Sequence, residues 1–391
     1  MKFPFLIFSI LAVAGLGVFL PHHAAVAGQW VTHSHPCPGL SRTDALHRDP
    51  NGTLWVGCVT TQNGRGLFVS FDGGPTWAKV TSNPPELLAE FRVNTITRGH
   101  DGALYAGGVD TRIGSNNRVL RVDTRGSMPF PTTATLIATQ QVGRQFTVGN
   151  YGELSDGRAL AESLTGFDKL FRPSASTPAP ASEWTPIPSG TLDQFTQMIV
   201  HNDGFYAAGS RIDQPPKVFL PPRNAGAQPW ELVEVILDTG FGGEMWGIAA
   251  NNQRVVAVGV NQNQNIGMIY VSKGDPHDAA NYLSHEMPHI IGPGGTGTWA
   301  RGVCMRGNLI VVVGEIQPLS GATGRVMASS DGGESFTNIT PPSPPETVSR
   351  CAIAPDGLVT VAGAAGFIGI WDGFLGEVSD RIFRSRFETG N

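Results

Sequence analysis

Charge is scarce in this chain. Only 15% of its 391 residues are Asp, Glu, Lys or Arg, and they leave a net charge of −5. No basic stripe stands out, which argues against nucleic acid as a partner. Cysteine is scarce as well: Cys37, Cys58, Cys304 and Cys351 are the full set. They form no CxxC and no Cys/His cluster at zinc spacing, so no metal or cofactor is expected. There are five tyrosines and no G-x-S-x-G nucleophile signature. No segment sustains helical periodicity. After the first 20 or so residues, no apolar run is long enough to span a bilayer.

What the chain has in abundance is glycine, 50 residues, with 29 prolines. That usage suits many short strands and tight turns. Residues 1–27 read as an export signal: Lys2, an apolar run through Leu20, then Ala25-Val26-Ala27 before Gly28. The mature protein is therefore expected in the periplasm or outside the cell, without a membrane span, as a monomer. An even cysteine count in an exported chain permits two disulfides.

One phrase recurs: a polar turn with Gly or Asn, then an apolar strand ending in glycine. The copies are NGTLWVG to Gly57, DGALYAG to Gly107, NDGFYAAG to Gly209, NNQRVVAVG to Gly259, RGNLIVVVG to Gly314 and PDGLVTVAG to Gly363. A weaker copy, SDGRALAE, falls near Ala161. The period is close to 50 residues, and each unit has room for four strands. Fourth strands often open on an aromatic, as at Trp77, Trp184, Trp230 and Phe336. The expectation is an all-β fold: a single seven-bladed β-propeller of four-stranded blades over residues 28–375. The Pro/Ser/Ala run at 173–182 is a loop inside blade three. Blade seven lacks a fourth strand of its own, and Gln29-Trp30-Val31-Thr32 matches that phrase. The N-terminal strand is thus expected to complete the last blade and remove an exposed edge. This arrangement predicts Cys37–Cys58, because Cys37 follows the closing strand and Cys58 ends a strand of the neighbouring blade. It also predicts Cys304–Cys351, on innermost strands of adjacent blades.

Two stretches add a motif. Ser70-x-Asp72-x-Gly74-x-Thr76-Trp77 and Ser329-x-Asp331-x-Gly333-x-Ser335-Phe336 each read as strand, Asp-Gly-Gly turn and strand. They resemble the Asp-box (BNR) repeat of sialidase-like and photosystem-assembly-factor-like propellers. The resemblance implies a structural role for the box, away from the ligand face. Residues 376–391 stand outside the blades. Through Asp380, Ile382, Phe383, Phe387 and Glu388 they resemble a short tail on secreted proteins of some Gram-negative bacteria, with Arg386 where that tail has Gly.

Thirteen residues before six of the end-glycines stand Asp44, Asn94, Thr196, Trp246, Arg301 and Arg350. Two residues on, each position is apolar. The first set should therefore form the polar rim at which the innermost strands begin. Asp44, Asn94, Trp246, Arg301 and Arg350 are the candidate ligand-binding residues. Two arginines at equivalent places point to an anionic ligand, an acidic glycan or a protein segment. Sialidases need three arginines, a Tyr/Glu nucleophile and an Asp acid. Their Phe/Tyr-Arg-Ile-Pro signature is absent; Arg42 sits in Leu40-Ser41-Arg42-Thr43. Tyr105, Tyr206 and Tyr270 lie inside strands, leaving Tyr151 and Tyr282. No catalytic residue is assigned. The expected function is an exported, non-catalytic binding or scaffold propeller. The alternative is a divergent sialidase-like glycoside hydrolase or lyase, with Asp44, Asp110, Asp193 and Glu244 as its rim acids.

Overall fold

The structure, a computed structural model, describes residues 28–34, 37, 45–58, 66–83, 91–110, 116–122, 133–136, 148–163, 169–172, 185–187, 195–209, 214–224, 226–240, 242–288, 297–317 and 321–373. The proposed signal, the C-terminal tail, Asp44 and the 173–182 run lie outside these residues.

The strands follow one another in chain order. After β1 (Trp30–Ser34), the first sheet holds β2 (Ala45–Arg48), β3 (Leu54–Cys58), β4 (Gly66–Ser70) and β5 (Ala78–Lys79). The second holds β6 (Thr81–Asn83), β7 (Phe91–Arg98), β8 (Leu104–Asp110), β9 (Asn116–Val122) and β10 (Thr133–Leu136). Next come β11 (Val148–Glu153), β12 (Ala159–Ser163), β13 (Lys169–Arg172) and β14 (Thr185–Pro186). The fourth sheet is β15 (Gln197–His201), β16 (Gly204–Gly209), β17 (Lys217–Leu220) and β18 (Val233–Ile236). The fifth is β19 (Gly243–Ala250), β20 (Val255–Asn261), β21 (Ile266–Ser272) and β22 (Tyr282–Glu286). The sixth is β23 (Gly297–Arg306), β24 (Leu309–Gln317), β25 (Thr323–Ser329) and β26 (Thr337–Asn338). The last is β27 (Val348–Ile353), β28 (Val359–Gly363) and β29 (Phe367–Trp371), completed by β1.

The fold is thus all-β, a propeller built on four-stranded blades. Among the described residues six sheets have four strands and the second has five. That fifth strand departs from the expected plan. Thr81–Asn83 continues from β5 and pairs in parallel with β10. Three polar residues carry no apolar alternation, so nothing in the sequence marks the strand. The closing strand behaves as expected: β1 runs antiparallel to β29, from Trp30 opposite Trp371 to Ser34 opposite Phe367.

The recurring turn has a local cause. In four of the five Asx-Gly copies the Asn or Asp side chain accepts from the backbone N–H two residues on: Thr53 to Asn51, Ala103 to Asp101, Arg158 to Asp156, Leu358 to Asp356; in the fifth, Asp203 accepts from Ser155 instead. The following glycine takes positive φ, 92° at Gly52 and 75° at Gly102. Each turn sends the chain back into an apolar second strand.

The core lies between sheets. Trp55, Leu67 and Val69 of the first sheet pack on Phe91, Val93, Leu104 and Ala106 of the second. Val256, Val258 and Ile269 of the fifth meet Val303, Ile310 and Val312 of the sixth. Toward the end of the sheets where first strands turn into second strands, every neighbouring pair is also tied by a cross-link. These run Arg48–Thr360, Asp49–Arg98, His100–Glu153, Ser155–Asp203, His201–Asn252 and Asn251–Gly307. The remaining pair, sixth and last, carries the Cys304–Cys351 disulfide, with a Cα separation of 5.7 Å. Cys37–Cys58 forms as well, at 5.4 Å. Both predicted pairings are therefore present. Among the described residues no helix is long and apolar enough to cross a membrane.

Candidate functional site

The rim side chains are positioned by a repeated defect in the ladder. The pairing of first and second strands slips by one residue at Val93/Thr95, Val148/Asn150, Met245/Gly247, Ala300/Gly302 and Val348/Arg350. The extra residues are Asn94, Gly149, Trp246, Arg301 and Ser349. A bulge leaves its extra residue outside the ladder and re-aims the side chain. Opposite four of these bulges stand Gly108, Gly259, Gly314 and Gly363. A Cβ there would lie 1.8, 1.9, 1.9 and 2.2 Å from the carbonyl oxygens of Arg92, Glu244, Trp299 and Thr347. The strand-end glycine of the repeat is the residue that lets the bulged strand approach.

Register therefore sorts the candidates. Asn94, Trp246 and Arg301 are equivalent bulge residues. Arg350 is not: it pairs directly with Ala362, and Ser349 takes its blade's bulge. Its Nη1 donates to the Ser349 carbonyl at 2.9 Å. The expected equivalence of the two arginines fails because the β27–β28 hairpin is one residue longer than the corresponding hairpins of the fifth and sixth sheets, which displaces the count by one residue.

The structure brings Trp246 and Arg301 together across the fifth and sixth sheets. The Arg301 guanidinium carbon lies 4.4 Å from the Trp246 ring centroid and 4.3 Å from that of Trp299. The two indoles meet edge to face with centroids 5.5 Å apart. Such cation–π contacts are worth about 0.5–2 kcal/mol each, according to their exposure. Each indole N–H is anchored. Trp246 donates to Glu244 at 2.8 Å, and Trp299 to the Asn265 side-chain oxygen at 2.5 Å. Arg301 Nη2 donates to Glu315 Oε1 at 2.8 Å, with side-chain exposures of 17% and 3%. Glu315 also accepts from Gln317 at 2.9 Å and from the Thr347 hydroxyl. Burial alone would raise its pKa. The bonds from Arg301 and Thr347, and the Arg301 charge, outweigh burial and hold the carboxyl below its ordinary range.

Beside Trp299 lies the turn from β20 to β21, Asn-Gln-Asn-Gln-Asn over 261–265. The Asn261 oxygen accepts from the Asn263 N–H at 3.0 Å, and its amide donates to Gln264 at 3.1 Å. Asn263, Gln264 and Asn265 are exposed.

Sequence reading missed Trp299, Glu315, Gln317, Thr347 and Asn265. Trp299 stands two residues before Arg301, and the intervening bulge scrambles the simple two-residue alternation. Glu315 follows the end-glycine directly, which was a readable signal.

Other candidates fall elsewhere. Glu244 is engaged with Trp246; the Asp110 side chain and Asp193 lie outside what is described. Tyr151 is buried and donates to the buried Glu153 at 2.9 Å, and Glu153 also meets His100. This Tyr–Glu pair is closed off from solvent. Tyr282 donates to the Pro276 carbonyl at 3.0 Å. A groove of about 780 Å³ runs between the turns 221–231 and 275–279, but Arg223 is paired there with Asp275, and the His277 ring bonds the Pro221 carbonyl. Among the described residues no group of three His, Cys, Asp or Glu is placed to hold a metal ion.

The two Asp-Gly-Gly turns lie at the opposite end of the sheets from the rim. Gly332 N–H donates to Asn308, in the turn joining β23 and β24, at 3.1 Å. Both turns share one bond pattern. The serine hydroxyl donates to the aspartate at 2.7 Å and accepts from the second glycine N–H at 2.7 Å. The aspartate then accepts from the backbone and hydroxyl of Thr76 or Ser335 at 3.1 and 2.6 Å. These bonds outweigh burial and push the pKa of Asp72 and of Asp331 down to about 2.

No protein-family model matches the chain, and no curated protein matches it. Solved structures do resemble it. A streptogramin B lyase is 12% identical with a TM-score of 0.58, the match covering 89% of this chain and 99% of the other. YCF48 bound to D1 peptide is 15% identical at 0.56, covering 88% and 96%. The extracellular domain of BT4673 from B. thetaiotaomicron is 10% identical at 0.56, covering 93% of this chain and 42% of the other. At these identities the likeness establishes the β-propeller fold alone.

Proposed function

We propose that the chain is an exported, non-catalytic propeller that binds its ligand on the rim between the fifth and sixth blades. In this reading residues 1–27 are a removed signal, the seven sheets are seven blades of one closed ring, and the Asp-Gly-Gly turns are structural Asp boxes. The observation that carries it is the Trp246–Arg301–Trp299 stack. Three large side chains from two blades are held rigid by Glu244, Glu315 and Asn265 at the end where the innermost strands begin. Pre-oriented Trp and Arg side chains are the usual anchors of binding surfaces. The expected acidic group on the ligand would have to share Arg301 with Glu315, so aromatic contact leads the recognition. A peptide ligand has a precedent in this fold, since YCF48 is solved with a D1 peptide.

The test is a peptide and oligosaccharide binding screen on the mature protein, repeated with Trp246→Ala, Trp299→Ala and Asp72→Ala. The tryptophan variants should lose binding while melting close to wild type. Asp72→Ala should lower stability by about 1 kcal/mol, as for other lost turn and cap bonds, and bind normally. Loss of binding in Asp72→Ala at an unchanged melting temperature would move the site to the other face. Robust glycosidase or lyase turnover by the purified protein would replace the binding reading with the enzymatic one.

A further inference from the structure

We infer that the rim site takes a neutral, hydroxyl-rich ligand, a saccharide chain, through stacking on Trp246 and Trp299 and amide contacts from the 261–265 turn. The inference rests on the rim reading above and deepens it.

Three observations converge. The indoles are fixed platforms: each N–H is committed, to Glu244 and to Asn265, so the rings are already oriented before a ligand arrives. Two rotatable bonds per Trp keep the ordering entropy small, and pre-oriented rings lower it further. The platform is also charge-balanced. The Arg301 charge faces Glu315, which is itself bonded by Gln317 and Thr347. A balanced pair gives a free anion little net attraction, so electrostatics do not select an acidic ligand here. The third observation is the neighbouring turn. Five consecutive amide side chains occupy 261–265, three of them exposed, and one holds Trp299 in place. Each amide offers both donors and an acceptor, which matches a hydroxyl that is donor and acceptor at once. A sugar ring supplies the other half: an apolar C–H face for an indole and a hydroxyl edge for amides.

The experiment is calorimetric titration of the mature protein with neutral tetrasaccharides of glucose, mannose and N-acetylglucosamine. Uronate oligomers and a peptide panel serve as the other arms. At least one neutral saccharide should bind. Its affinity should fall about tenfold or more in Trp246→Ala and Trp299→Ala, the size of a lost aromatic anchor. It should fall measurably in Asn263→Ala, an exposed turn residue whose replacement leaves the fold intact. It should change little between about 50 and 500 mM salt, because no net charge is neutralised. If a tryptophan variant fails to fold, Trp299→Phe and Asn263→Ala read the same point. Binding of uronates only, with steep salt dependence, overturns the neutral class. Binding of peptides only, lost in the tryptophan variants, overturns the saccharide and leaves the rim site standing. Binding that ignores Trp246, Trp299 and Asn263, or no binding in any arm, overturns both.

Discussion

Replacing Arg301 by Ala should destabilise the protein as well as disturb the rim. Glu315 is 3% exposed and Arg301 17%, with one direct bond of 2.8 Å between them. Removing one partner of a buried pair costs about 3–5 kcal/mol. Arg301 reaches solvent in part, and Glu315 keeps its bonds from Gln317 and Thr347. The expected loss is therefore about 2–3 kcal/mol, below the fully buried range. Urea unfolding followed by tryptophan fluorescence should show a lower midpoint with an unchanged slope. The double variant Arg301→Met/Glu315→Leu should recover most of the loss, since apolar residues of similar volume carry no stranded charge. The pH dependence has a fixed sign. In the wild type the folded pKa of Glu315 is depressed. Its contribution is present above the unfolded value and is lost as pH falls through the folded one. In Arg301→Ala the carboxylate is buried without its cation, so protonation relieves it. The gap between variant and wild type should narrow as pH falls from 7 toward about 4, the ordinary Glu value. A neutral single variant, a double variant no better than the single, or a pH-independent gap would refute the pairing argument.

Other expectations follow from the same bonds. Asp72 and Asp331 have folded pKa values of about 2. Their turn bonds should hold above pH ~4 and be lost on acidification toward 2, and Asp72→Asn/Asp331→Asn should flatten the acid limb of a melting-temperature profile. The disulfides close loops of 21 and 47 residues. Loop entropy assigns them about 3 and 4 kcal/mol, so Cys304→Ala/Cys351→Ala should lower the unfolding midpoint more than Cys37→Ala/Cys58→Ala; non-reduced peptide mass spectrometry checks the pairing. Gly314→Ala should cost about 3 kcal/mol, the upper end for overpacking, because its Cβ would meet a backbone oxygen at 1.9 Å. Gly73→Ala, with open space around it but φ of 78°, should cost only about 1 kcal/mol in thermal melts.

The repeat made the fold legible, because four of its copies carry the same turn chemistry. An Asx side chain bonds two residues on, a glycine takes positive φ, and an apolar strand follows. The closing strand was readable because Trp30-Val31-Thr32 repeats a phrase found four times elsewhere. The fifth strand of the second sheet was not, because Thr81–Asn83 is too short and polar to carry a period.

The site was half legible, and glycine explains which half. Counting back from the end-glycine assumes a constant distance to the rim. The structure fixes a different invariant: the glycine that faces the bulge. Gly259 and Gly314 face it directly, so the count finds Trp246 and Arg301. In the second sheet the facing residue is Gly108, the second of two consecutive glycines. In the last sheet the hairpin is one residue longer than in the fifth and sixth, and a count from Gly363 stops at Arg350, one residue short of Ser349. A turn may lengthen without strain because it faces solvent. The glycine may not move, because a Cβ would strike a carbonyl oxygen of the first strand. Rim residues of such a chain are therefore found from the bulge inward, and the residue directly after the glycine belongs in the search. In the sixth blade that residue is Glu315, the group that sets the charge of the site.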